Sequence, residues 1–294
     1  MEKPSAHPQG AYPVHQRHQQ AIGPEPAASG DLSAPPHLVP VDGDGRAASR
    51  VFDIPIELAQ PAEMLRTITS WAGSGRAHRV MYVNAHVVNQ SIAIPELRSA
   101  LESADLIYCD GYGVRLAARA LDVPVPHRMT GADWVWGLAA LCEAAGHSLY
   151  LLGSEPGVAA DAAARLRRWY PRLRVAGAHH GYFELDTPHE QRVVEDINAA
   201  GADLVLVGMG TPKQELWVQR HADDLEVDVL WTVGALLDYM AGRVPRAPRW
   251  LADHGLEWIF RLALEPHRMW KRYLLGNPIF LSRVMSERQR ARPH

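Results

Sequence analysis

Apolar and polar positions alternate in blocks from Arg50 onward. Short apolar runs recur as RVMYVNA (79–85), DLIYCDG (105–111), SLYLLGS (148–154), LRVAGAHHGYF (173–183), DLVLVGMG (203–210) and VDVLWTVG (227–234). Each is too short for a helix and rich in β-formers, so each predicts a buried strand. Between them the apolar residues fall at helical spacing, as in 131–146, 156–170, 189–201 and 212–224. Residues 87–104 also read as helical, interrupted at Pro95. Regular strand–helix alternation predicts an α/β fold: a Rossmann-like parallel sheet with helices on both faces. Ligands then bind at the carboxyl ends of the strands.

The chain ends have a different texture. Residues 1–49 hold eight of the 22 prolines, with Ala, Gly, His and Gln and no apolar period, and read as a disordered tail. Residues 243–294 carry eleven Lys and Arg against four Asp and Glu, on a chain of net charge −3. In this segment Leu256, Trp258, Ile259, Phe260, Leu262 and Leu264 form an apolar stripe beside Arg261, Arg268, Lys271 and Arg272. A basic, aromatic, amphipathic segment suits either a membrane surface or a helix packed on the body with its arginines in solvent. The expected layout is a tail (1–49), a Rossmann-like domain (50–242) and a basic helical appendage (243–294).

Composition narrows the class. The near-neutral charge gives no nucleic-acid signature. Two cysteines, Cys109 and Cys142, without metal-ligand spacing suit a reducing compartment and no metal site. No signal peptide and no apolar run of membrane-spanning length is read. The expectation is a cytoplasmic protein, peripherally placed on the inner membrane face.

The predicted strand ends carry Asn84, Asp110-Gly111, Gly153-Ser154, Gly208-Met209-Gly210 and Gly234. Small and polar residues thus collect along one sheet edge, as a binding crevice requires. After the fifth run comes GMGTPKQELW (208–217). Thr211 reads as an N-cap, Pro212 as the first helical residue, and Gln214 as the far half of a capping box. With Lys213 beside a helix N-terminus, the corner suits a negatively charged ligand. It equally suits a capped helix with a solvated lysine.

The stretches VNAHVV, CDGYGV, PHRMTGADW, LLGSEPG, GMGTPKQELW, VGALLDYMAGRVPRAPRW and GLEWIFRLALEPHRMWKRY together resemble bacterial glycosyltransferase family 26. The family includes the N-acetylmannosaminyltransferase of wall teichoic acid synthesis, the N-acetylmannosaminuronic acid transferase of enterobacterial common antigen, and exopolysaccharide glucosyltransferases. The resemblance implies an inverting, metal-independent enzyme without cofactors. It would move N-acetylmannosamine, its uronic acid or glucose from a UDP-sugar to a polyprenyl-diphosphate-linked sugar. It also implies a membrane-touching C-terminal appendage and possible homo-oligomers. One departure stands out: many members have a Thr two residues before the first-motif Asn, where this chain has Tyr82.

Roles follow from that resemblance and from the pattern. Asp110 is the expected base. Gly153, Gly208, Met209, Gly210, Lys213, Gln214, Gly234 and Asp238 are expected at the UDP donor. Asn84, Arg128, Thr130, Asp133, Arg246 and Arg249 are expected at acceptor or phosphate, and Arg261, Arg268, Lys271 and Arg272 at the membrane. Two other readings stay open: a non-catalytic nucleotide-binding module docked to the membrane, and an NAD-dependent oxidoreductase. The second lacks a GxGxxG after the first strand.

Overall fold

The apolar runs become a six-stranded parallel sheet. The computed structural model describes residues 38–41, 46–248, 250–251 and 254–291. The sheet strands are β4 (His78–Val83), β5 (Leu106–Cys109), β6 (Ser148–Gly153), β7 (Arg174–His179), β8 (Leu204–Gly208) and β9 (Val229–Thr232), in the order β5-β4-β9-β8-β6-β7. Residues of β5, β6, β8 and β9 are buried throughout, as strands covered on both faces must be. The chain runs outward from β4 to β5 at one side and from β6 to β7 at the other, and β8 and β9 fill the gap between. A reversal in strand order of this kind opens a crevice at the carboxyl ends.

Helices cover the sheet: α1 (Pro61–Ser70), α2 (Ala85–Ala93), α3 (Pro95–Glu102), α4 (Tyr112–Ala120), α5 (Gly131–Ala145), α6 (Val158–Trp169), α7 (Pro188–Ala200), α8 (Lys213–His221) and α9 (Leu236–Ala241). The break predicted at Pro95 occurs: Ile94 is extended between α2 and α3, as a residue before proline prefers.

Two sequence expectations change. Strands β1 (Leu38–Val41) and β2 (Arg46–Val51) lie largely in the segment read as tail; β2 pairs antiparallel with β1 on one side and with β3 (Ile54–Glu57) on the other. Ala48, Val51, Ile54 and Ile56 are buried, so strand order here comes from pairing and burial that composition does not display. The capping box at the β8–α8 corner also does not form. Helix α8 starts at Lys213 with no side-chain cap. The Thr211 hydroxyl donates instead to Glu215 Oε1 at 3.1 Å, because a fully buried carboxyl needs a donor more than a helix end does.

The C-terminal segment is helical as predicted, as Glu257–Leu264, Pro266–Trp270, a π-helical turn Lys271–Leu275, and Gly276–Ala291. The last helix docks on α2 and α4. Phe280 and Val284 are buried, the Phe280 ring lies 5.8 Å from that of Phe52, and Asn89 Nδ2 donates to the Gly276 carbonyl at 2.7 Å. Among the described residues no helix is long and apolar enough to cross a membrane.

Candidate active site

The crevice is built from the strand ends. Asn84 follows β4 and caps α2, its Oδ1 accepting from the amides of His86 and Val87 at 3.0 and 3.1 Å. Its Nδ2 donates to Asp110 Oδ2 at 3.5 Å. Asp110 follows β5, and its amide is tied to the Val83 carbonyl at 2.9 Å. The carboxylate keeps partial access to the crevice while sunk among protein atoms. Burial pushes it up to about 6, and repulsion from Glu257 acts in the same direction; Asn84, Arg272 and Arg261 pull it back.

The other wall comprises β6, β8 and β9. A Cβ on Gly153 would lie 2.4 Å from the Gly208 carbonyl oxygen, so these two ends touch backbone to backbone. That approach allows the Ser154 amide to bond the Gly208 carbonyl at 3.0 Å. Close strand packing, rather than ligand approach, requires glycine at 153 and 208. Gly210 differs: φ is +80° and nothing would meet its Cβ. Ser154 Oγ donates to Asp238 Oδ2 at 2.9 Å, which fixes that carboxylate at the crevice. Met209 packs on Gly181, where a Cβ would lie 2.8 Å from the Met209 Cγ.

Several expected ligand contacts are engaged within the protein. Lys213 is not a mobile charge: Nζ donates to the carbonyls of Gly181 and Phe183 at 2.8 and 3.1 Å and lies 4.7 Å from the Phe183 ring centroid. A lysine one step into a buried helix has carbonyls within reach, and burial lowers its proton affinity. Gln214 is fully buried. Its Oε1 accepts from the Gly210 and Gly234 amides at 3.3 and 3.0 Å, and its Nε2 donates to Glu215 and Tyr82. It ties corners together rather than facing a ligand. Asp133 is paired with Arg246 and lies 3.9 Å from Arg128, so its carboxylate serves two guanidiniums. Thr130 precedes α5 without capping it, and its buried hydroxyl has no protein partner. Arg249 lies outside the described residues.

The appendage divides its cations. Arg268 and Lys271 are exposed, with Arg268 3.2 Å from Glu265. Arg261 and Arg272 turn inward, against the expectation of membrane contact. Each is partly buried with an Nε that has no protein partner, Arg261 lies 5.7 Å over the Tyr239 ring, and both charges act on Asp110. The reason is helical phase: Glu257 and Arg261 are four residues apart and share the face that meets the body.

Glu257 and His86 escaped the sequence reading, whereas Glu215 reads with Gln214 as serving either the nucleotide or only its helix. Glu215 is fully buried, and burial raises its carboxyl to about 7. Glu257 gave no signal beyond a helix-start acid. His86, beside Arg272, is held neutral by burial, its imidazole lowered to about 4.

A parallel sheet with a carboxylate and guanidiniums at one crevice suits a group-transfer enzyme, and the family match makes it one of the glycosyltransferase class. The chain belongs to the glycosyl transferase WecG/TagA/CpsF family, which it matches over residues 49–294. It is similar to the N-acetylglucosaminyldiphosphoundecaprenol N-acetyl-beta-D-mannosaminyltransferases of Staphylococcus aureus strains NCTC 8325, COL and MRSA252. With each it is 30% identical over 213 residues, covering 72% of this chain and 81% of the relative.

Proposed function

We propose that this enzyme moves a sugar from a UDP-sugar to a polyprenyl-diphosphate-linked sugar, with inversion. The carrying observation is Asp110, a crevice carboxylate held by Asn84 at 3.5 Å and raised to about 6, on which the charges of Arg261 and Arg272 act. At neutral pH such a carboxylate is largely ionised yet basic enough to take a proton from an acceptor hydroxyl. As that oxygen bonds the anomeric carbon, the bond from that carbon to the diphosphate breaks and UDP leaves with its electrons. Arg261 and Arg272 supply donors to the departing charge, and Asp238, held by Ser154, serves the nucleotide. Backbone amides, guanidiniums and the α8 corner neutralise the diphosphate in place of a metal.

The acceptor reading rests on the staphylococcal relatives, whose names specify a diphosphoundecaprenol-linked substrate. A lipid-linked acceptor requires a membrane face. The appendage offers exposed Trp250, Trp270, Leu274, Leu275, Leu281 and Met285 beside Arg268 and Lys271. We place this surface against the inner membrane leaflet.

The test is UDP release from UDP-sugars with and without a synthetic prenyl-diphosphate N-acetylglucosamine, read by mass spectrometry of the product. Acceptor-dependent formation of a lipid-linked disaccharide is expected. Nucleotide binding without turnover of any donor would leave the non-catalytic module as the correct reading.

A further inference from the structure

Tyr82 lies on β4, between β5, which leads to Asp110, and β9, which leads to Gly234. The residue is 7% exposed. Its hydroxyl accepts from Gln214 Nε2 at 3.3 Å and donates to the Thr211 hydroxyl, whose own proton goes to Glu215. A Cβ on Gly234 would lie 2.7 Å from that oxygen. Gln214 Nε2 also donates to Glu215 Oε1 at 2.7 Å, and Thr211 reaches the same oxygen at 3.1 Å. Four side chains therefore close a polar ring that joins β4, the β8–α8 corner and the β9–α9 corner.

Counting donors and acceptors in the ring singles out one member. The Gln214 amide has both N–H groups and both carbonyl lone pairs committed. A phenol can make three hydrogen bonds, and Tyr82 has two within the ring. The strand order sets Tyr82 between the Asp110 and Gly234 corners, and the charges of Glu215, Arg272 and Asp110 all act on its hydroxyl. A sugar carried on a diphosphate at the β8 and β9 corners, with its anomeric carbon in reach of an acceptor activated by Asp110, must lie over β4.

We propose that Tyr82 is a donor-selecting residue: its phenol forms the floor beneath the transferred sugar, and its hydroxyl reads a neutral hydrogen-bonding substituent, a hydroxyl or acetamido group, on the sugar face turned to the sheet. A carboxylate in that place would face the two acids Glu215 and Asp110 against the one cation Arg272, so neutral pyranoses are the matching donor class. The proposal rests on the UDP-sugar reading given above.

The experiment compares the wild-type enzyme, Tyr82→Phe and Tyr82→Thr. The donors are UDP-glucose, UDP-N-acetylglucosamine, UDP-N-acetylmannosamine and UDP-N-acetylmannosaminuronate, with one prenyl-diphosphate acceptor. Affinity for UDP alone is measured by calorimetry. The Phe variant, which keeps the ring, should cut the kcat/KM ratio between the preferred and next donor by about tenfold, the scale of one hydrogen bond, with UDP affinity unchanged. The Thr variant, which opens the floor, should favour the bulkier N-acetylated donors. Loss of kcat/KM by one common factor for all donors, or an equal loss of UDP affinity, would mark a merely structural tyrosine and overturn the proposal. A wild-type preference for the uronate would also overturn it. Failure of the wild-type enzyme to use any UDP-sugar would sink the donor reading, and this inference with it; unchanged selectivity in an active variant sinks this inference alone.

Discussion

Asn84 holds Asp110 and caps a helix with the same side chain: Oδ1 takes the first amides of α2 while Nδ2 reaches the Asp110 carboxylate at 3.5 Å. Position and orientation of the proposed base are thereby coupled to the start of α2. Asn84→Ala should cost about 1 kcal/mol of stability through the lost cap. It should also lower kcat, because the carboxylate loses its one neutral orienting donor. Thermal melts and initial rates on the same preparation check both.

Asp110→Asn separates function from folding. The native carboxyl is raised from 3.8 to about 6, so ionisation opposes folding: the stability is complete below the unfolded pKa and is lost as pH rises through the native one. The Asn variant escapes that cost and should melt higher than wild type at pH 8. Its turnover should fall by about 10²–10⁴-fold, the usual contribution of a positioned base. A variant that is both less stable and moderately active would remove Asp110 from the role.

The pH–rate profile should carry the same signature. For the wild-type enzyme, kcat/KM rises as pH passes about 6 and levels above it, as the base loses its proton. Arg272→Gln removes a cation that lowers the Asp110 pKa, so its acidic limb should move to higher pH. Glu257→Gln removes a repelling anion, and its limb should move to lower pH. Opposite shifts from two substitutions on one appendage would be hard to obtain from general loosening.

Much of this arrangement was legible in the chain. The six strands are apolar runs whose covered faces demand continuous hydrophobicity, and Asp110, Asn84 and the glycine corners follow them directly. Side-chain direction was less legible. Helical spacing grouped Arg261 and Arg272 with Arg268 and Lys271, but the phase that turns the first pair inward depends on how the appendage docks. Lys213 and Gln214 sit in a motif that reads as ligand-binding. Their partners, the Gly181 carbonyl and the Gly234 amide, are 32 and 20 residues away and meet them only in the folded sheet. Strands β1 and β2 escaped because pairing, not periodicity, defines them.

The outer face of the appendage predicts salt-sensitive membrane binding. Exposed Leu274, Leu275 and Met285 supply apolar insertion, and Arg268 and Lys271 supply attraction to anionic headgroups. Sedimentation with phosphatidylglycerol vesicles should fall steeply as salt rises, since screening shortens to roughly 3 Å at 1 M. Leu275→Glu should release the enzyme from vesicles while sparing turnover of a short-chain, soluble acceptor. Vesicle binding indifferent to both salt and this charge would argue for another face.

Glu215 gives the last prediction, a stability test away from turnover. Its carboxyl is fully buried, accepts from Thr211 and Gln214 through Oε1 alone, and leaves Oε2 without a partner. Burial raises it from 4.5 to about 7, so the protonated acid is the form the fold prefers. Its favourable contribution is therefore complete below about pH 4.5 and disappears as pH rises through about 7. By pH 8 the cost is on the order of 3 kcal/mol. Glu215→Gln keeps the shape and cannot ionise, so the variant should gain on wild type as pH goes from 5 to 8 in denaturant titrations. Parallel stability curves for the two proteins across that interval would mean that the buried acid is ionised at little cost, and that the ring around Gln214 is held by charge rather than by neutral hydrogen bonds.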